Sequence, residues 1–326
     1  MAKQISNINT EQHKGLVFRT TGAQNTVKLA DTNRIIDCSI KGKIRLKDLR
    51  TTNPVVVGDK VIVEIDEKTN TGNIIKIEER ENYIIRRSTN LSKEGQVLAA
   101  NIDQLFVIVT INSPVTSLMF IDRLLLTAEA YNIPAKIIFN KIDIYNKEET
   151  EKLGEYAYIY DSIGYKCLFT SVLKEIGIKE LISELEGKVS LFSGHSGTGK
   201  SSLINIIMPG LNLKTGEISD YHRKGKHTTT FACMHELFTD TYIIDTPGVK
   251  AFGLLDIDKK ELFHFFPEIF NASKDCKYYN CTHNLEPDCN VVKEVENGKI
   301  PLSRYENYLS ILLDKDFQKY RYDDWG

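Results

Sequence analysis

The sequence is short of several things, and each shortage removes a class of protein. None of the 326 residues lies in an apolar run approaching the roughly 18 needed to cross a bilayer, so no membrane-spanning helix is expected. The opening MAKQISNINTEQHKG has no apolar centre, so it does not resemble a secretory signal, and the cytoplasm is the expected compartment. Net charge is only −2, so no global basic field advertises a nucleic-acid partner; such binding must come from local patches. Repeats and low-complexity tracts are missing. Aromatics are nearly missing from the first 82 residues, where Phe18 stands alone before Tyr83.

What is present changes character along the chain. Residues 15 to about 85 hold five short runs of strand-like residues, GLVFR, NTVKLA, RIIDCSI, KVIVEI and NIIKIEE, parted by Gly, Asn, Asp and Thr. That pattern predicts a small β-barrel over 1–85. The polar RRSTNLSKEGQ reads as a linker within 86–97. From 98 to 258 apolar strands such as DQLFVIVTI alternate with helical periods, which predicts a parallel sheet. Residues 259–326 read as helical apart from a cysteine cluster. The expected fold class is therefore multidomain α/β.

The chemistry begins at Gly194-His195-Ser196-Gly197-Thr198-Gly199-Lys200-Ser201-Ser202. Its glycines, Lys200 and Ser201 fill the phosphate-loop pattern, and it sits between a strand, KVSLF, and a helix, SSLINIIM. Backbone N–H groups and the helix N-terminus suit phosphate oxygens. Lys200 is placed for the β and γ phosphates and Ser201 for Mg2+. Downstream, Asp245-Thr246-Pro247-Gly248 ends an apolar strand. Asp245 suits the metal through water, and the Gly248 N–H suits the γ-phosphate. Asn140-Lys141-Ile142-Asp143 ends another strand. A carboxylate at Asp143 accepts from the N1–H and N2–H2 of guanine and repels the N1 lone pair of adenine. Asn140 suits the N7 side and can tie the loop, while the Lys141 stem can cover a base face. Thr170-Ser171-Val172 ends the next strand, where backbone N–H groups suit guanine O6.

The base-reading strands precede the phosphate loop, whereas in an ordinary GTPase they follow it. A circular permutation explains this order, because sheet neighbours survive relocation of the termini. With NKID at 140, TSV at 170, GHSGTGKSSLIN at 194, GKHTTT at 225, DTPG at 245 and a metal motif near 276, the chain closely resembles the RsgA family of small-subunit-dependent, circularly permuted GTPases. The resemblance covers nearly the full length. It implies an N-terminal OB-fold barrel, a permuted GTPase and a C-terminal zinc domain. It implies GTP hydrolysis stimulated by the small (30S) ribosomal subunit, late in its maturation, with binding to 16S rRNA and with neither membrane nor DNA as partner. A monomer is expected. It further implies that a threonine of GKHTTT ligates Mg2+; Thr229 is the first choice, with Thr228 and Thr230 open.

Other features qualify the reading. Val249 follows DTPG where many GTPases carry a water-orienting Gln, so the isolated chain is expected to turn over slowly. His227 is a candidate helper, and equally a surface histidine facing RNA. Gly197 stands where potassium-dependent relatives have Asn. Basic patches lie at KGKIRLKDLR (41–50) and around Arg223, Lys224 and Lys226. With Phe18 the only aromatic before Tyr83, phosphate contact with folded RNA fits better than base stacking.

Cys38, Cys167 and Cys233 sit singly in apolar runs and read as buried small hydrophobes. Cys276, Cys281, His283 and Cys289 offer three thiolates and an imidazole, a complete tetrahedral set for one structural Zn2+ with no open position. An iron–sulfur cluster usually takes four cysteines. No nucleotide motif lies beyond Gly248, so nucleotide binding is expected to be indifferent to this metal. Two other functions compete: a zinc-dependent RNA-binding protein whose nucleotide site is only structural, favoured by Val249 alone, and a GTPase acting on a non-ribosomal RNA or protein.

Overall fold

The computed structural model describes residues 11–21, 24–40, 54–66, 69–86, 96–211, 213, 232–245, 258–284 and 286–313. Two compact units emerge: Met1–Asp103 with Gly187–Leu191 and Asp220–Gly248, and Gln104–Glu186 with Phe192–Ser219 and Val249–Gly326.

In the first unit, β1 (Gln12–Thr20), β2 (Asn25–Leu29), β3 (Ile35–Ile40), β4 (Lys60–Asp66) and β5 (Thr71–Ile77) are the five runs read from the sequence. β1 pairs antiparallel with both β2 and β4, β2 with β3, and β4 with β5, while β3 and β5 run parallel. That circuit closes the sheet into a five-stranded OB-type barrel and leaves no open edge among these strands. Alternation follows: Val61, Val63 and Ile65 of β4 point in, with Val17, Val27 and Ile74, while their neighbours are exposed or half-buried. Cys38 joins this core, and burial pushes its thiol up to about 12. β6 (Tyr83–Arg86) and β7 (Gln96–Ala100) form an antiparallel hairpin that reaches into the segment read as a linker.

Two further strands build onto the barrel out of chain order. They are β12 (Cys233–Phe238) and β13 (Thr241–Asp245), an antiparallel pair. β12 meets β1 at Cys233 opposite Arg19. The Lys28 ammonium lies 2.6 Å from the Glu236 carboxylate, and Phe18 meets Tyr242 edge-on at 5.7 Å. The strand that delivers Asp245 is thereby fastened to the barrel.

The second unit holds β8 (Gln104–Val109), α1 (Leu118–Ala130), β9 (Ala135–Asn140), α2 (Lys147–Asp161), β10 (Cys167–Thr170), α3 (Ile178–Leu185) and α4 (Lys200–Ile207). β11 (Val189–Gly194) contributes Phe192–Gly194. β9 lies parallel to both β8 and β10, and β11 flanks β8. Every residue of β8 is buried, as its unbroken apolar run predicts for a strand covered on both faces. α5 (Pro267–Ser273), α6 (Asn290–Glu296) and α7 (Leu302–Leu312) follow. Leu126 of α1 shares one apolar core with Phe266, Ile269, Val291, Tyr308 and Leu312. Among the described residues no helix is long and apolar enough to cross a membrane.

Candidate functional site

Parallel strands present their C-terminal ends on one side of a sheet, and ligands of such sheets bind there. Asn140, Thr170 and Gly194 are the last residues of β9, β10 and β11. The phosphate loop leaves β11 with two left-handed glycines, Gly197 (φ 85°) and Gly199 (φ 91°), and Gly199 caps α4. A Cβ on Gly199 would stand 2.4 Å from Asn140 Nδ2, and one on Gly194 would stand 2.5 Å from the Ile108 carbonyl oxygen. Gly199 is therefore required by its φ and by close approach, and Gly194 by close approach to backbone. Lys200, Ser201 and Ser202 form the first turn of α4.

Asn140 is 1% exposed and locks the three base-side segments together. Its Nδ2 donates to the Thr198 carbonyl at 2.8 Å, and its Oδ1 accepts from Thr170 Oγ1 at 2.9 Å. Lys141 takes a left-handed backbone (φ 63°), and its Nζ donates to the carbonyls of Ser113 and Gly197, both at 2.6 Å. Asp143 lies in a 3-10 turn, Ile142–Ile144, and accepts from Ser171 Oγ at 2.5 Å. The Ser171 N–H donates to the Ile176 carbonyl at 3.1 Å. Tyr145 completes the frame: its hydroxyl donates to the Asn140 carbonyl at 2.6 Å and accepts from the Ile111 N–H at 2.9 Å. The cradle thus gathers the Asp143 carboxylate, the Lys141 side chain and the N-terminus of α4 at one end of the parallel strands.

One contact was invisible to the motifs. His195 stacks on Phe120 of α1, with ring centroids 3.6 Å apart and planes inclined by 25°. Asp245 ends β13 in the other unit. His227, Thr228, Thr229, Thr230, Gly248, Val249 and both basic patches lie outside the described residues.

The sulfur and Nδ1 atoms of Cys276, Cys281, His283 and Cys289 all lie within 4.8 Å of one another. Cys276 Sγ is 3.6 Å from His283 Nδ1 and 3.9 Å from Cys289 Sγ, and Cys289 Sγ is 3.5 Å from His283 Nδ1. Zinc bonds of about 2.3 Å to sulfur and about 2.0 Å to nitrogen, at tetrahedral angles, call for ligand separations of roughly 3.8 and 3.5 Å. The set fits Zn2+, which Cys276, Cys281, Cys289 and the Nδ1 of His283 would hold. Burial pushes the Cys281 thiol up to about 12, and a zinc ion binds such a sulfur as the thiolate, releasing its proton. Glu286, not flagged by the sequence, ties the ligand loop: it accepts from the Thr282 N–H and Oγ1 at 2.6 Å and from the Asn284 N–H at 2.9 Å. Burial opposes its charge, but these bonds hold its carboxyl down at about 2. From α7, Tyr305 donates to the His283 carbonyl at 2.8 Å and Tyr308 to the Thr282 carbonyl at 2.7 Å.

The RsgA GTPase family model matches residues 77–255. The small ribosomal subunit biogenesis GTPase RsgA 2 of Bacteroides thetaiotaomicron is 53% identical over 308 residues, 94% of this chain and 99% of that one. The small ribosomal subunit biogenesis GTPase RsgA of Christiangramia forsetii is 46% identical over 314 residues, 96% of this chain and 99% of its own. Among solved structures, YjeQ from Thermotoga maritima superposes with a TM-score of 0.77 at 34% identity, covering 93% of this chain and 98% of that one. YloQ, described as a circularly permuted GTPase, gives 0.73 at 26% identity over 94% and 96%.

Proposed function

The chain belongs to the RsgA family of circularly permuted GTPases, and from that premise we propose that it acts on the small ribosomal subunit late in maturation. In this reading it binds the subunit's 16S RNA, and docking stimulates GTP hydrolysis. It works as a cytoplasmic monomer. The observation that carries the nucleotide part is the Asn140 interlock, which joins NKID, TSV and the phosphate loop into one cradle although the chain visits them in permuted order. The ribosomal part is supported by the relatives, whose names state that role.

Within the cradle, Lys200 neutralises the β and γ phosphates, and backbone N–H groups of residues 195–200 hold the oxygens. Ser201, Asp245 and a threonine of 228–230, Thr229 first, would hold Mg2+, which would supply charge stabilisation on the phosphates. Val249 aligns no water, so basal turnover is slow. The basic segment around Arg223, Lys224 and Lys226 adjoins those threonines, and RNA bound there orders them and brings His227 toward the γ-phosphate.

The test is turnover by the pure chain with and without small subunits. Stimulation of about 10³-fold is expected, and added salt suppresses it by screening phosphate contacts. Alanine at Arg223, Lys224 and Lys226 together removes the stimulation. Equal turnover with and without subunits defeats the proposal.

Base choice gives a separate check. Asp143→Asn is expected to weaken GTP binding about 10- to 100-fold, because a carboxylate that accepts two hydrogen bonds is replaced by a weaker acceptor. Xanthosine triphosphate, which presents an oxygen where guanine has its amino group, is expected to gain affinity. Unchanged competition between the two nucleotides would remove Asp143 from the base site.

A further inference from the structure

The buried charges of the second unit lie outside every nucleotide and metal motif. Arg304 of α7 is 1% exposed. Its Nη1 donates to Asp122 Oδ1 at 2.8 Å, and its Nε donates to Glu268 Oε1 at 2.7 Å. Asp122, on α1, also accepts from Tyr160 Oη at 2.8 Å and from Asn307 Nδ2 at 2.6 Å. Burial works against the Arg304 charge, but attraction to Asp122 and Glu268 outweighs it, so the guanidinium is held above its ordinary range.

Two ends extend from this knot. Tyr305 and Tyr308, the neighbours of Arg304 and Asn307 on α7, grip the carbonyls of His283 and Thr282 in the metal loop. Phe120, two residues before Asp122 on α1, stacks on His195 of the phosphate loop. Each link is a direct contact. Cation binding at such a loop is coupled to its folding, so loss of the cation favours an open loop. A linked pair of sites needs a two-state element that both sites bias.

We propose that Arg304 is a positioning residue for nucleotide binding, through which closure of the Cys276–Cys289 loop sets the α1 register and hence the phosphate loop at His195. The sequence implied the opposite, a metal site indifferent to nucleotide. With α7 drawn onto the closed loop, Arg304 fixes Asp122, and Phe120 holds His195 in place. Without the cation, the tyrosine grips are lost, α7 unfolds with its segment, and α1 is free to shift.

The experiment measures the dissociation constant of a fluorescent GDP for the full-length protein, zinc-loaded and zinc-stripped, and takes the ratio. A ratio of about ten is expected for the wild type, and by reciprocity saturating GDP raises the zinc affinity by the same factor, read by equilibrium competition with a chromogenic chelator. Phe120→Leu keeps the apolar volume and removes the ring from His195; its ratio is expected to fall to about two. Tyr305→Phe with Tyr308→Phe keeps the rings and is expected to do the same. Arg304→Ala leaves Asp122 buried without its cation and can fail to fold. Arg304→Lys therefore stands beside it: it keeps the charge, loses the two-sided fork, and is expected to retain part of the ratio. A wild-type ratio near one overturns the proposal. So does a ratio of about ten that persists in both Phe120→Leu and Arg304→Lys. Neither readout involves ribosomes, so failure of the ribosomal proposal leaves this test intact.

Discussion

Lys200→Ala is expected to lower GTP turnover by at least about 10²- to 10³-fold, equivalent to roughly 3–4 kcal/mol of transition-state stabilisation. Phosphoryl transfer asks little covalent chemistry of a protein and depends on charge held where the phosphates develop it. Lys200 opens α4 directly after the left-handed Gly199, so its backbone position is fixed by the loop and not by a flexible partner. The substitution removes the ammonium and keeps a good helix former, so α4 itself is retained. Single-turnover hydrolysis and fluorescent GDP binding separate the two consequences: chemistry collapses, and binding weakens less. Turnover at the wild-type rate would show that hydrolysis occurs elsewhere.

Cys281→Ser is expected to unfold the segment from about 258 to 313, with loss of helical circular dichroism and rapid proteolysis there. The metal contributes about 10–16 kcal/mol of folding free energy in comparable small sites. That matches or exceeds the whole stability of an ordinary domain, about 5–15 kcal/mol. Cys281 and Cys289 belong to the same apolar core as Phe266, Tyr308 and Leu312, so opening the loop exposes that core as well. Chelation of the wild type is expected to reproduce the effect, and added Zn2+ to reverse it. A folded sample with no zinc by elemental analysis would refute the assignment.

Local signals made much of this protein readable. The barrel strands were legible because apolar alternation along β4 and β5 has the period of a pleated strand half in contact with a core. The nucleotide cradle was legible because its motifs carry their chemistry within a few residues. Partner choice across long separations was not. Asp122 reads as one polar residue in a helix of leucines, and nothing local says that its counter-charge is Arg304. Phe120 reads as core, and its use as a platform for His195 depends on how α1 is laid against the loop. Glu286 looks like any acid beside a proline and an aspartate until its three backbone and hydroxyl donors are seen. Lys28 and Glu236, which fasten the Asp245 hairpin to the barrel, are 208 residues apart.

The pairing of Asp122 with Arg304 also sets a schedule for the newborn chain. The two residues are 182 positions apart, so the ribosome making this protein delivers the carboxylate well before the guanidinium. At about 5–20 residues per second the interval is roughly 10 to 40 seconds. Through that time a carboxylate destined for a dry interior has no cation to accompany it, and α1 cannot be sealed against its final neighbours. Base-reading strands and phosphate loop have emerged by then, yet the helix that braces them stays wet. A message truncated before codon 304 therefore yields a chain with every nucleotide motif present and its central helix still unsealed, the kind of product that quality-control proteases remove.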